Sequence, residues 1–398
     1  MTALKIAVLM GAASLALGVA GAAWADDQPA PGAAAPAAPA GPTALSTPAM
    51  SASLSNNSNP YAIDTGPLGK IYVSGQLTGL AYTEDNPGFG DTDRSKAEIS
   101  NAQVEIQKTD GVVQFYVQAG YYNFPSLGAG NVSTQKITEN TYKAVPVAFL
   151  KLQPTAELSV QIGKLPTLIG AEYTFTFENL NIARGLLWNQ EPAVSKGVQV
   201  NYAKGPLTVS VSVNDGYYSS RYSTISGLVS YVLSPKDTLA FAASGNTDKV
   251  SVARFATPLA QNNGTIWNLL WTHTEGPWVI NPYLQYSTTP RIDKFGLTGS
   301  ASTFGGAVLA RYTVNSVFNI AGRAEYISSS GSNVALLYGP KSDAWSLTLT
   351  PTFQFKTFFV RGEVSYTKIE SGAPGAMFGK FGDKSDQARA MIETGVLF

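Results

Sequence analysis

The chain of 398 residues contains no cysteine. A disulfide framework, a thiol nucleophile and a Cys-based metal site are therefore excluded. Histidine is nearly absent as well, with His273 the single one. No His/Cys metal cluster can form, and general acid–base catalysis lacks its commonest group. The Gly-x-Ser-x-Gly nucleophile motif is also missing. These absences argue against an enzyme and against a resident metal or cofactor. Charge is scarce: Asp, Glu, Lys and Arg make up 14% of the residues, against roughly 25% in ordinary soluble domains. The 27 basic and 27 acidic residues balance, so no strong field draws the chain to nucleic acid. Long apolar runs are missing too. After Ala25 no stretch approaches the 18 or so consecutive apolar residues of a spanning helix. Low charge without such a helix leaves two classes. One is a secreted or periplasmic all-β protein, such as a carbohydrate-binding sandwich. The other is a membrane β-barrel.

What is present begins with "MTALKIAVLMGAASLALGVAGAAWA". Lys5 precedes an apolar run from Ile6 to about Ala20, and Ala23-Trp24-Ala25 supplies a small-x-small end. That is the pattern of a cleaved secretory signal, and the apolar run is short for a membrane anchor. Residues 26–60 are dominated by Ala, Pro, Ser and Asn. Such a composition has little to bury and reads as a disordered leader.

From Gly69 onward the sequence alternates with a period of two. "GVVQFYVQAGYY" sets Val113, Phe115, Val117 and Ala119 against Gln114, Tyr116, Gln118 and Gly120. "GPLTVSVSVN" sets Leu207, Val209, Val211 and Val213 against Thr208, Ser210, Ser212 and Asn214. One apolar face and one uncharged polar face describe a sheet wetted on one side. Such runs mark about sixteen strands, the first at 69–83 and the last at 386–398. The links after even-numbered strands are tiny ("TDG", "PTA", "KG", "SPKD", "TEGP", "TVN", "KT"), and those after odd-numbered strands are long. A sandwich has no reason to gather every short turn at one end. A transmembrane antiparallel barrel does, with short periplasmic turns and long external loops. Closure pairs the last strand with the first, because an unpaired edge in hydrocarbon costs several kcal/mol per polar group, roughly. The terminal Phe398 then lies on the lipid-facing side at the periplasmic rim, where aromatics belong, as do Trp271 and Trp278. His273 shares their outward parity. Pro146, Pro282 and Pro351 fall in predicted strands and call for bulges or displaced boundaries.

Sixteen strands leave room for water inside, whereas eight do not. By parity the inward face carries Gln103, Glu105, Gln118, Lys151, Gln161, Asn268, Gln285, Arg311, Arg323, Glu325, Arg361, Glu363, Arg389 and Glu393. The longest loop, 165–196, is too long and too aromatic for a simple cap. It is expected to fold into the barrel and narrow it. Its Glu172, Glu178 and Glu191, together with Arg184, would form a constriction with Arg311, Arg323, Arg361 and Arg389 of the wall. Acid facing base across an eyelet gives a transverse field that orients polar solutes. The same charges could instead form ion pairs that hold the loop. The loop aromatics Tyr173, Phe175, Phe177 and Trp188 could stack on sugars or pack the loop itself. Five inward basic residues against four acidic ones leave anion or cation preference open.

The stretch "GKLPTLIGAEYTFTFENLNIARGLLWNQEPAVSKGVQVNYAKGPLTVSVSVNDGYYSSRYS" (Gly163–Ser223) resembles the OmpL-like β-barrel porin family of Gram-negative bacteria. So does "FFVRGEVSYTK" (Phe358–Lys368) with the ending at Phe398, and the likeness runs from about Gly69 to the C terminus. The resemblance implies an outer-membrane porin that passes small hydrophilic solutes by passive diffusion. It implies contact with outer-membrane lipid and lipopolysaccharide and, by analogy with other porins, a homotrimer. Phe398 is similar to the signal read by the barrel-insertion machinery. No catalytic pattern carries over.

Overall fold

The computed structural model describes Leu54, Ser55, Asn57 and residues 59–331 and 337–398. The export signal 1–25 and most of the leader 26–60 lie outside the described residues. A short strand β1 (Tyr61–Asp64) precedes sixteen longer ones. These are β2 (Lys70–Glu84), β3 (Ser95–Lys108), β4 (Val113–Tyr122), β5 (Val147–Leu152), β6 (Leu158–Pro166), β7 (Val194–Lys204), β8 (Leu207–Asn214) and β9 (Thr224–Ser234). They continue as β10 (Asp237–Asn246), β11 (Thr265–Glu275), β12 (Trp278–Thr289), β13 (Ala301–Thr313), β14 (Phe318–Gly331), β15 (Asp343–Phe355), β16 (Phe358–Ser371) and β17 (Asp386–Leu397). Helix α1 (Thr134–Asn140) lies in the loop after β4.

Each of β2 to β17 pairs antiparallel with its sequence neighbour, and β17 returns to pair with β2 from Arg389↔Glu84 to Leu397↔Gln76. The result is a closed sixteen-stranded barrel without a free edge at membrane depth. The alternation in sequence sets which face meets lipid. On β8, Val211 and Val213 are exposed, while Ser210, Ser212 and Asn214 are buried inside. On β17, Ile392 and Thr394 face out, while Arg389, Met391 and Glu393 face in. Leu397 continues the inward set and is buried at the periplasmic mouth. Trp271, Trp278 and Phe398 are exposed on the outside.

The seam between first and last strands is close. Phe398 and Gly75 exchange two backbone hydrogen bonds of 2.8 Å. A Cβ at Gly75 would stand 2.7 Å from the Phe398 ring and 2.6 Å from the Gln103 carbonyl. The ring thus covers backbone that only glycine leaves bare. Below Phe398 the edge of β2 is taken over by β1, from Tyr61↔Val73 to Asp64↔Lys70. Upstream of β1, Leu54 is buried with the inward Phe359 and Leu397, and Ser55 exchanges two 2.7 Å hydrogen bonds with the Gln354 side chain.

The prolines behave differently from expectation in two of three cases. Pro146 lies just outside β5, a displaced boundary. Pro282 and Pro351 sit within β12 and β15 with no register shift around them. One neighbour simply loses rungs: residues 281–282 are unpaired toward β11 and 350–351 toward β16. At Pro282 a side chain compensates, since the Asn281 amide donates to the Trp271 carbonyl at 3.2 Å and to Thr272 Oγ1 at 2.7 Å. The register shifts occur instead at Thr78/Gly79, Asp237/Thr238 and Asp343/Ala344.

Candidate functional site

The lumen is occupied by the loop between β6 and β7. Ile169, Ala171, Leu180, Ile182, Ala183, Leu186 and Leu187 are buried in one cluster with inward residues of the wall, among them Leu228, Ala242, Ile266, Leu270 and Leu309. The inward face is therefore not uniformly polar. Where the loop lies on β9 to β13, apolar wall residues give it a dry seat.

Polar contacts fix the loop on β11 and β12 of that arc and on strands beyond it. Gly170 N–H donates to Asn268 Oδ1 of β11 at 3.2 Å, and Gln285 of β12 donates to the Leu187 carbonyl at 3.0 Å. On β14, Arg323 donates to Glu172 at 2.6 Å and to the Ala183 carbonyl at 2.9 Å. Glu325 accepts from the backbone of Leu186 at 2.8 Å. Glu363 of β16 accepts from the backbone of Ile182 and Ala183 at 2.5 and 3.1 Å. Arg361 donates to the carbonyls of Asn179 and Thr176 and to Glu393 of β17. Thr176 joins the same group through Glu393 at 2.6 Å and Asn101 of β3 at 2.6 Å. The bonds donated by Arg323 and Arg361 are charge-assisted, the stronger kind of hydrogen bond.

A second loop clamps the first. Residues 123–146 lie over it: Ser126 forms a parallel bridge with Arg184, the Leu127 N–H donates to the Arg184 carbonyl at 2.8 Å, and Asn189 donates to the Leu127 carbonyl at 2.7 Å. Tyr122 and Tyr142 pack with Phe175, Phe177 and Trp188 in a shared aromatic cluster. Tyr173 is only partly buried. The loop aromatics Phe175, Phe177 and Trp188 are thus packing residues here.

The candidate charges fall into distinct roles. Glu172 and Arg323 do not face one another across an opening, since they touch at 2.6 Å with side chains 1% and 0% exposed. A field across an eyelet needs separated charges, and a contact pair cancels most of its own field. Arg361 is likewise paired with Glu393 at 2.6 Å, and Arg389 with Glu84 at 2.7 Å. Arg184 stays within its loop, donating to the carbonyls of Tyr173, Ile182 and Thr174. Arg311 lies half-buried near the periplasmic end of β13. Glu178 accepts from the Phe175 N–H at 3.1 Å and faces a small cavity bounded by Tyr116, Gln118 and Phe149 of β4 and β5. That cavity holds about 20 Å³ of water-sized space, enough for one or two waters. Glu191 is buried at the foot of the loop against Gly170.

Away from the loop, the wall from β7 to β9 presents uncharged groups: Gln199, Asn201, Ser210, Ser212, Ser226 and Ser230. Sequence reading assigned no role to Glu84, Asn101, Thr176, Asn181 or the loop 123–146. The length of that second loop was the available signal.

A family model described as "Putative beta-barrel porin-2, OmpL-like" matches residues 70–398. No curated protein matches at a significant level. Among solved structures, the outer membrane channel DcaP of Acinetobacter baumannii is similar with a TM-score of 0.57 at 10% identity, over 82% of this chain and 97% of that one. In-vitro folded OmpT, an outer membrane protein of Vibrio cholerae, is similar with a TM-score of 0.55 at 12% identity, over 84% and 99%. A structure of OmpT described as its trimer form gives 0.54 at 12% identity, over 82% and 99%.

Proposed function

This chain belongs to the OmpL-like β-barrel porin family of the outer membrane, and from that premise we propose that it admits small hydrophilic solutes by passive diffusion past loop 167–193. One observation carries the reading: a single loop, anchored to β3, β11, β12 and β14 to β17, lies inside a closed barrel. The wall charges hold the loop, and the loop sets the width. The passage then runs between the loop and the uncharged wall of β7 to β9. With most lumenal charges paired, discrimination there rests on size and hydrogen bonding more than on net charge.

The same reading carries further expectations. Export through residues 1–25 leaves residues 26–60 as a periplasmic leader. The outward face meets lipid and lipopolysaccharide, and Phe398 serves recognition by the insertion machinery. A homotrimer is supported by the fold shared with a relative whose structure is described as a trimer. No catalytic role is part of the reading.

Liposome swelling tests it. Vesicles reconstituted with the mature protein should swell in small sugars and progressively less in larger ones. Equal swelling with and without folded protein, at every solute size, would refute the proposal.

A further inference from the structure

Glu191 ends the C-terminal limb of loop 167–193, just before β7. Its side chain is buried, and neither carboxyl oxygen has a hydrogen-bond partner. It rests on Gly170 of the opposite limb, so closely that a Cβ at Gly170 would collide with Oε2. Gly170 has φ +89°, a conformation that also favours glycine. The two limbs of the loop, also joined by the 3.1 Å bond from the Thr167 N–H to the Ala193 carbonyl, therefore close on each other over this carboxyl.

The charged neighbours are engaged elsewhere. Glu172 accepts from Arg323 and from the Gly185 N–H. Glu325 accepts from the Leu186 N–H and Ser346. The Arg323 guanidinium serves those two acids, and Arg184 serves loop carbonyls. From the other packed elements come Tyr283 of β12, whose hydroxyl is unpartnered, and Tyr217 of the loop after β8, whose hydroxyl donates to the Gln190 carbonyl. A charged carboxylate is not stably buried without a partner, so this geometry fits the protonated acid. Burial pushes the Glu191 carboxyl well above the usual carboxylate range, and the acids Glu172 and Glu325 add to it.

We propose that Glu191 is a protonation latch: neutral, it lets the two limbs of the loop close on each other, and ionised, it parts them and widens the passage. The latch rests on the reading of loop 167–193 as the constriction. Its sign follows from linkage. A carboxyl raised in the closed state favours closure fully below the ordinary carboxylate range, near about 4.3. That contribution is lost progressively as pH rises toward the closed-state value.

Single-channel currents of the full-length mature protein in planar bilayers, from about pH 5 to 9, test the latch. In the wild type the ratio of wide to narrow current levels should rise with pH, by up to about tenfold per unit. In Glu191→Gln the ratio should stay low and flat. Glu191→Asp, which keeps a titrating acid, should retain a rise, and so should Glu178→Gln. A pH-independent wild type would overturn the latch, as would a rise that survives in Glu191→Gln or vanishes in Glu178→Gln. Absence of current at every pH would overturn the passage itself, and the latch with it.

Discussion

Arg323→Met is the sharpest perturbation of the loop's attachment. The substitution removes the bonds to Glu172 at 2.6 Å and to the Ala183 carbonyl at 2.9 Å. Glu172 is 1% exposed at its side chain, so its charge is left buried with only the Gly185 N–H donating to it at 2.8 Å. Breaking one side of a buried pair costs about 3–5 kcal/mol. That equals a shift on the order of a hundredfold to a few thousandfold in the docking equilibrium of the loop. The barrel ladder does not depend on this contact, because β14 keeps its backbone pairing to β13 and β15 on both sides. The cost should therefore fall on the loop. Single-channel recording should show larger or noisier current steps, and heat-modifiable gel mobility should be retained. The double variant Arg323→Met/Glu172→Met removes the 2.6 Å pair and should return the current part of the way toward wild type, since apolar replacement of a buried pair is often nearly neutral while Glu325 still lacks its 3.3 Å guanidinium partner. Unchanged current in Arg323→Met, or loss of barrel assembly with no change in the current of what assembles, would refute the argument.

Four further outcomes are expected. Gly75→Val should impair closure, because the new side chain meets the Phe398 ring and the Gln103 carbonyl; overpacking of this kind costs about 1–3 kcal/mol, and less heat-modifiable protein should accumulate. Gly362→Ala, with its nearest atom 4.0 Å away, should assemble normally. Leu54→Asp should free the segment before β1 from Phe359 and Leu397, giving faster proteolysis there while the barrel stays intact. Glu178→Gln should leave assembly unchanged and shift the reversal potential only slightly, because Glu84, Glu172, Glu325 and Glu393 stay paired with arginines; a large shift would show that Glu178 dominates selectivity.

The barrel was legible because its signals are local. Strand faces repeat every two residues, and the turns announce themselves by length. The sixteen expected strands sit within a few residues of β2 to β17. Closure by pairing the last strand with the first followed from the cost of open edges, and β17 pairs with β2. Pro282 and Pro351 misled, because a strand can drop rungs on one side and keep its register. Parity correctly put Arg323, Arg361 and Glu363 inside, but parity gives a face and not a depth or a partner. Whether Glu172 meets Arg323 across a gap or at 2.6 Å depends on the path of a loop with no period. The grip of loop 123–146 on Arg184 runs through backbone atoms of Pro125, Ser126 and Leu127, and side-chain type encodes little of that. Leu54 lay in a segment whose composition promised nothing to bury.

The most direct test of the account is the current carried by folded protein in a planar bilayer. The account predicts discrete steps whose size scales with the conductivity of the bath and grows when the loop is released by Arg323→Met. Properly assembled, heat-modifiable protein that inserts and gives no steps, in wild type and variant alike, would contradict it.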